Sequence, residues 1–395
     1  MPKTYDVAVF GAGPAGAQCA RELAHKGYQV VLVEKMSNFL ANNFSSAGSV
    51  YEVLEHFDLP KSTISSYWKS IKLTSAGTEH IWTAKRPLGV VFDFAKLRKF
   101  LTADAKSTGN CRVLLGWQFS SYQKTDDSYQ CVIKKDGQTS MGENILAKIL
   151  VDATGPARSI LHYQKNKPRY VSATGIEYLV QTDPLFSQSF GDTTLQFLLG
   201  PHFQPHGYAW IFPMGDGIYK IGTGGYNDRK TKTQSLKYYI DRIIKNYLQL
   251  KKYQILDVHG GTVQFRPNHQ EPFVDGKIVG VGDAVSSVNA LGFEGIRHGL
   301  HSARTAACCI DEYLKNQKPS LDHYQRLMQQ YFGRKWYWSY WLSRLVYMQF
   351  GDNTLDKIIT MLRLLTTEEL VEILFYYRFS NVFKLVFRQL KTLFK

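Results

Sequence analysis

The chain opens on a short apolar run, Asp6-Val-Ala-Val-Phe10, that suits a buried strand. Gly11 to Gly16 follow it. Ala17 to Lys26 then reads as a helix, closed by Gly27 in the C′ position. Gln29-Val-Val-Leu-Val-Glu34 is the next buried strand. Strand, helix and strand in this order predict a βαβ unit and so a parallel sheet. Residues 37 to 50 are rich in Ser, Asn and Ala and read as loop, and Ser65 to Val91 is mixed and strand-like. Phe94 to Lys106 is helical in pattern, and Val113 to Trp117, Tyr129 to Lys134 and Ile149 to Ala153 read as strands.

The texture changes between about Lys165 and Asp275. Beta-branched and aromatic alternation dominates there, in Val171 to Gln181, Thr194 to Leu199, Tyr208 to Phe212 and Ile218 to Thr223. One amphipathic helix, Gln234 to Leu250, interrupts it. Lys277 to Val281 returns to a buried strand and Gly295 to Leu314 to a helix, and the chain beyond Pro319 is helical and very aromatic. The expected fold class is α/β: a Rossmann-type domain on a parallel sheet, an antiparallel β-rich second domain and a C-terminal helical region. The expected boundaries are 1–165 and 276–318 for the first, with residues about 60–90 shared, 166–275 for the second and 319–395 for the third. A chain of 395 residues is long enough for two or three packed units.

The glycines between the first strand and helix carry the clearest chemistry. In Gly11-Ala-Gly13-Pro-Ala15-Gly16 the first glycine permits a tight turn, the second lets backbone approach a pyrophosphate and the third lets helix pack on strand. The helix N-terminus offers free N–H groups to the phosphates. Glu34 stands 18 residues beyond Gly16, next to Lys35, where its carboxylate can accept from a ribose diol and disfavours a 2′-phosphate. Two later strand ends decide between FAD and NAD. Asp152-Ala-Thr-Gly155 and Val279-Gly-Val-Gly282-Asp283 end in small residues, and Leu291-Gly292-Phe-Glu-Gly295-Ile296 opens a helix. A ligand lying across all three strand ends is long and extended, which favours FAD. Asp283 is the candidate for the ribityl hydroxyls, and the helix starting near Gly295 for the flavin pyrimidine.

Cysteine and charge narrow the setting. The five cysteines include no CxxC pair, which fits a reducing compartment and predicts neither a disulfide framework nor a metal site. No signal peptide is legible and no uncharged apolar run spans a bilayer, so a cytoplasmic protein, soluble or peripheral on a membrane, is expected. The net charge of +15 is either a solvated basic surface or attraction to something anionic. No nucleic-acid motif accompanies it.

On these residues the chain resembles the geranylgeranyl reductase family, among the para-hydroxybenzoate-hydroxylase-like flavoproteins, from Tyr5 to about Ala307. The most specific piece is Gly207-Tyr-Ala-Trp-Ile-Phe-Pro213 with Gly215-Asp-Gly217 and Ile221-Gly222, which looks like the family's YxWxFP strand and turn. Phe57-Asp-Leu-Pro60, Gly260-Gly-Thr-Val263 and Gly282-Asp-Ala also match. The resemblance implies bound FAD and reduction of isolated isoprenoid double bonds, hydride arriving at one alkene carbon and a proton at the other. Tyr208, Trp210 and Phe212 would then line an apolar substrate cavity; ordinary core on an alternating strand is the equal alternative. Three positions depart from the family. Phe44-Ser-Ser46-Ala-Gly48 has no cysteine where the family has Cys-Gly, Phe94 stands for an FAD-holding arginine that Arg98 replaces one turn later, and Ala290 stands for proline. Asn289, Glu294 and Arg297 fall near the expected flavin face, though each residue type more often caps or coats.

Arg378, Asn381, Lys384, Arg388, Lys391 and Lys395 recur every three or four residues opposite an apolar face, a basic amphipathic helix suited to an anionic membrane surface or a membrane protein. The alternative is docking on the enzyme body. The tryptophans and tyrosines of Arg334 to Phe350, with Arg344, suit a membrane interface or a packed cap. The expected function is an FAD-dependent reductase of a polyprenyl or similar apolar lipid. A flavin monooxygenase or halogenase, or a non-catalytic flavin-binding assembly factor of a membrane complex, are the alternatives. No second nucleotide site is legible, so the electron donor is unknown.

Overall fold

The computed structural model describes residues 4–40, 45–135, 142–163, 170–227, 234–266 and 271–380. The candidate amphipathic helix from Asn381 onward, and Phe44, lie outside them.

The opening pattern folds as its periodicity requires. Strand Thr4–Phe10 runs into helix Pro14–His25 and back through strand Val30–Glu34. Thr4–Phe10 pairs in parallel with both Val30–Glu34 and Glu143–Asp152, and the latter pairs in parallel with Ile278–Gly280. Cys111–Leu115 adds a parallel edge beyond Val30–Glu34. These strands are continuous apolar runs because helices cover them: Val7, Ala8, Val9, Val31 and Leu150 are fully buried beneath Pro14–His25 and Ile296–Leu314. Tyr129–Lys135 and Trp117–Lys124 complete an eight-stranded sheet as an antiparallel flank.

A second sheet has seven strands in the order Tyr253–Phe265, Val171–Thr182, Ile218–Tyr226, Gly207–Gly215, Thr194–Leu199, Ser70–Thr74 and Glu79–Thr83. Every pairing in it is antiparallel except Thr194–Leu199 with Ser70–Thr74. A small third sheet, Gly48–Val50, Gly89–Phe92 and Ile64–Trp68, lies between the two. Helices Asp322–Met348, Asp352–Leu362 and Thr367–Leu374 close the described chain. The first breaks at Gly333, and Phe332 and Trp336 beside the break fill the main core.

Local details depart from the sequence pattern for identifiable reasons. The run Val113 to Trp117 is two strands, because Gly116 takes a positive φ of 77° and turns the chain. The expected helix Gln234 to Leu250 is α only over Leu236–Arg242 and widens to a π turn at Ile243–Tyr247. Part of the expected loop 37–50 is strand Gly48–Val50. Strand Tyr253–Phe265 was not marked by alternation, since this edge strand is mostly solvent-exposed and carries Gly260 and Gly261.

Candidate active site

The two large sheets face one another across a cleft of about 710 Å³, within the range of small-molecule sites. One wall is the glycine turn. Gly11 has φ +104°, and a Cβ there would stand 2.2 Å from the Ala153 carbonyl oxygen. A Cβ at Gly16 would stand 1.9 Å from the Gly11 carbonyl oxygen. Gly13 differs: nothing lies within 4 Å of where its Cβ would project, because it opens onto the cleft. Helix Pro14–His25 starts at Gly13 with no side-chain cap, so its first N–H groups point at the cleft unsatisfied by the protein's own side chains. That cradle fits a pyrophosphate. Glu34 lines the cleft too, but its carboxylate already accepts from Ala12 N at 2.6 Å and Met36 N at 3.0 Å. It braces the glycine turn and retains acceptor capacity for a diol.

Gly11, Gly13, Ala15, Gly16, Glu34, Lys35, Arg98, Gly155, Gly282, Asp283, Gly295 and Ile296 all line this one cleft. Gly292 does not line it, and its carbonyl instead accepts from Tyr208 Oη at 2.8 Å. Arg98 is buried over the rings of Phe94 (4.7 Å) and Phe39 (5.4 Å) and donates to the Phe39 carbonyl. Burial lowers its guanidinium's proton affinity, and Glu34 opposes that. The arginine one turn late thus shares the cleft with Phe94, the residue at the family's arginine position. Asp283 is half-buried at the cleft wall, and desolvation there pushes its carboxyl up against the pull of Arg158 and a bond from Ser287. Helix Ile296–Leu314 also starts without a side-chain cap, at Gly295.

Asp152 and Arg158 shape this wall, and neither stood out as a site residue by its type. Asp152 is fully buried and accepts from Thr154 N, Thr154 Oγ1, Ile160 N and Leu161 N, which pins the turn carrying Gly155. Arg158, in the left-handed region, packs 3.8 Å over the Tyr170 ring and bonds Gln264, Ser286 and Glu271. It ties the two sheets together behind the cleft.

The opposite wall is a face of the seven-stranded sheet. Pairing places Gly261, Gly175, Gly224 and Tyr208 side by side across four strands, and His259, Glu177, Gly222 and Trp210 in the next row. Most of these residues line the cleft. The bare glycines make it wide. Gly222 lies under the indole, where a Cβ would stand 2.3 Å from the Trp210 ring. The ring crosses that gap to donate from Nε1 to Glu177 Oε2 at 2.6 Å. Phe212 shares this face but lies one row beyond, beside Lys220 and packed on Gly48 and Phe197, so it belongs to the core and not to the cavity lining. Tyr208 stacks on Phe293 and packs at a tilt against Tyr347. Lys220 is buried, donates to the Ser45 carbonyl at 2.6 Å and so holds the loop that lacks the family's cysteine. Burial lowers its ammonium's proton affinity, opposed by Glu177 and Asp93.

Near the helix start, Asn289 and Glu294 are buried and Arg297 is largely so; none is a surface residue. Asn289 Oδ1 accepts from Leu291 N at 2.9 Å and fixes the turn. Burial alone raises the Glu294 carboxyl, but Arg297 and His298 reverse that and hold it well below the usual range. Arg297 pairs with it at 2.8 Å, and Tyr377 donates to it at 3.0 Å, so this cluster anchors the C-terminal segment. Away from the cleft, Cys309, Glu312 and His323 bring potential metal-ligand atoms within 4.8 Å of one another. Burial pushes the Cys309 thiol up to about 12, away from the thiolate a metal needs.

Comparison with known proteins agrees with this geometry. The family model for FAD dependent oxidoreductases matches residues 6–173, and that for the geranylgeranyl reductase catalytic domain matches residues 175–263. Digeranylgeranylglycerophospholipid reductase of Haloferax volcanii is 26% identical over 339 residues, covering 80% of this chain and 78% of its own. Digeranylgeranylglycerophospholipid reductase 3 of Methanosphaera stadtmanae is 25% identical over 398 residues, covering 97% and 98%. A geranylgeranyl bacteriochlorophyll reductase-like protein of Thermoplasma acidophilum has the same fold, with TM-score 0.83 at 22% identity, covering 98% of this chain and 100% of its own. Fold, cradle and family models together define an FAD-dependent oxidoreductase. Within that class the chain is geranylgeranyl reductase-like.

Proposed function

We propose that the protein reduces C=C bonds of a polyprenyl lipid at a membrane surface. One observation carries this reading: the cradle suited to FAD and the glycine-lined aromatic face belong to a single cleft. An extended chain without bulky polar groups could lie on Gly175, Gly224 and Gly261 beside the stacked rings of Tyr208 and Phe293. The relatives named for reduction of geranylgeranyl lipids support the same substrate class.

Gly11, Gly13, Ala15 and Gly16 would hold the pyrophosphate, Glu34 and Lys35 the adenosine side, and Asp283 the ribityl hydroxyls. Gly155, Gly282, Gly295 and Ile296 would let backbone approach the cofactor, with Arg98 closing beside Glu34. FAD, once reduced, supplies hydride. The protein's part is to hold the lipid against it, exclude water and provide a proton. Gly292, off the cleft, would position Tyr208 and not touch the cofactor.

Membrane contact would come from helix Asp322–Met348 and the basic tail. Tyr337, Trp338 and Trp341 are 44%, 56% and 51% exposed on that helix, as interfacial anchors are. The described chain ends at Ser380, just beyond Tyr377, which packs on Trp336 of the same helix. Each basic residue of the tail near an anionic surface would add roughly 1 kcal/mol.

The test is the absorption spectrum of the purified protein, then anaerobic reduction and reoxidation by a panel of prenylated lipids. A flavin spectrum with reoxidation by one lipid is expected. Rapid reoxidation by oxygen alone, with no saturated lipid formed, would favour monooxygenase chemistry instead. A chain ending at Ser380 should lose most binding to anionic liposomes; undiminished binding would remove the tail from the account.

A further inference from the structure

Beyond the cofactor cradle, the cleft holds a chain of ionisable groups that neither hydride supply nor lipid packing needs. Glu177 is 3% exposed on the strand next to the edge of the seven-stranded sheet, where a buried carboxylate without a task is costly. Its Oε2 accepts from Trp210 Nε1 at 2.6 Å, and its Oε1 lies 2.9 Å from His259 Nε2. On the other side of the ring, His259 Nδ1 lies 3.1 Å from Asp257 Oδ2. The Asp257 side chain is 46% exposed, whereas those of His259 and Glu177 are 6% and 4% exposed. Glu177 and His259 both line the cleft. The line therefore runs from solvent at Asp257, through one imidazole, to a carboxyl at the cavity wall.

Strand pairing builds it. Glu177 is opposite His259 on one side and Gly222 on the other, and Gly222 is opposite Trp210. Any side chain at Gly222 would push the indole off the carboxylate. A carboxylate offers about four acceptor positions, of which Trp210 and His259 take two.

We propose that Glu177, refilled by His259 and Asp257, delivers the proton that completes reduction of the double bond. The inference rests on the reductase reading above. One alkene carbon receives hydride, with its two electrons, from FAD reduced by an external donor. The other receives the proton held on Glu177 Oε1, the oxygen beside His259, while Oε2 stays on the indole: that O–H bond breaks, a C–H bond forms and the carboxylate remains. His259 Nε2 then returns a proton to Oε1, and the imidazole regains one by exchange with solvent beside Asp257, which restores its Nε2–H. Trp210 is the positioning residue; it fixes the carboxylate's orientation. The charged groups facing Glu177 are Lys220 on the adjacent strand and His259 with Asp257 on the other, and Asp283 lines the same cleft.

Two measurements on the FAD-loaded enzyme test this. In E177Q, flavin reduction by dithionite and the dissociation constant for the saturated lipid should stay within twofold of the wild type. Reoxidation by the unsaturated lipid should slow by about a hundredfold or more, as loss of a general acid does. E177D should recover part of that rate, H259Q should resemble E177Q, and D257N should slow by severalfold. Equal reoxidation in E177Q and wild type, or parallel loss of lipid binding, would overturn the proposal. Separately, the Trp210 indole N–H resonance in 15N-tryptophan-labelled enzyme should move with pH in the wild type and stand still in E177Q. A resonance that stands still in the wild type also overturns it. If no prenylated lipid reoxidises the wild type, the reductase reading fails while the indole titration still decides whether Glu177 holds a mobile proton.

Discussion

On the parallel-sheet wall of the cleft, three glycines lie within six residues of one turn, each with its own steric reason. On the antiparallel wall the glycines come from Val171–Thr182, Ile218–Tyr226 and Tyr253–Phe265 and become neighbours only through strand register. The first wall is a local device and the second a long-range one. Glycine's role differs accordingly. At Gly11 and Gly16 it admits the protein's own backbone, at Gly13 it leaves room for a ligand, and at Gly222 it makes way for a tryptophan.

The largest effects should separate the two uses within the first wall. Gly16→Ala puts a Cβ against the Gly11 carbonyl with no room to yield, so the protein should fail to accumulate folded. Gly13→Ala should fold with an unchanged melting temperature in the cofactor-free state, since its φ of −64° suits alanine and its Cβ meets open cleft. It should lose about 1–3 kcal/mol of FAD binding, roughly ten- to a hundredfold in affinity. A flavin titration and a thermal melt decide it. Equal FAD affinity in Gly13→Ala would remove this glycine from the cradle.

Phe212 sharpens the boundary of the second wall. As core against Gly48, Phe197 and Leu195, its loss in Phe212→Ala should cost about 3–5 kcal/mol of stability. The lipid profile of whatever enzyme survives should be unchanged. A stable Phe212→Ala protein with altered lipid preference would return this residue to the cavity.

The glycines across the strands should give a graded, smaller effect. Gly222→Ala meets the Trp210 ring at 2.3 Å, whereas Gly175→Ala meets it at 3.3 Å, where a slight shift suffices. Gly222→Ala should lose about 1–3 kcal/mol, and most lipid turnover with it, while retaining flavin. Gly175→Ala should sit near wild type. Equal loss in both would mean that the indole's position does not matter.

These contrasts explain what the sequence discloses. The βαβ opening, its glycine turn, Glu34 and the helical C-terminus follow from near neighbours in the chain, so periodicity and spacing reveal them. The strand bearing Tyr208 and Trp210 is equally plain, but alternation puts Phe212 on their face without saying that strand Gly48–Val50 covers it. Glu177 and His259 are 82 residues apart and meet only by strand pairing. The available signal was a glutamate as the one charged residue of the strand-like run Val171 to Gln181. Arg158 was hidden for the same reason, since its bonds to Gln264, Glu271 and Ser286 span 106 to 128 residues of the chain.

The smallest effect concerns the cluster that joins the cofactor-side helix to the C-terminal segment. His298 is buried, with Nδ1 2.9 Å from Tyr331 Oη, and burial followed by Arg297 lowers its pKa to about 4. His301, stacked on Tyr331, is lowered to about 4 by burial and then by His298. In the unfolded chain both imidazoles take up a proton near pH 6.5. Above that pH neither state is protonated there and stability is unaffected. As pH falls from about 6.5 towards 4, the unfolded state binds protons that the folded state refuses, so stability falls by up to about 1.4 kcal/mol per unit for each fully buried group. His298→Gln should flatten part of that slope in thermal melts between pH 7.5 and 4, and the difference should vanish at the upper end. Parallel slopes in the two proteins would show that His298 is already protonated in the fold. The buried cluster would then owe its order to a second cation beside Glu294, with Arg297 no longer its sole full charge.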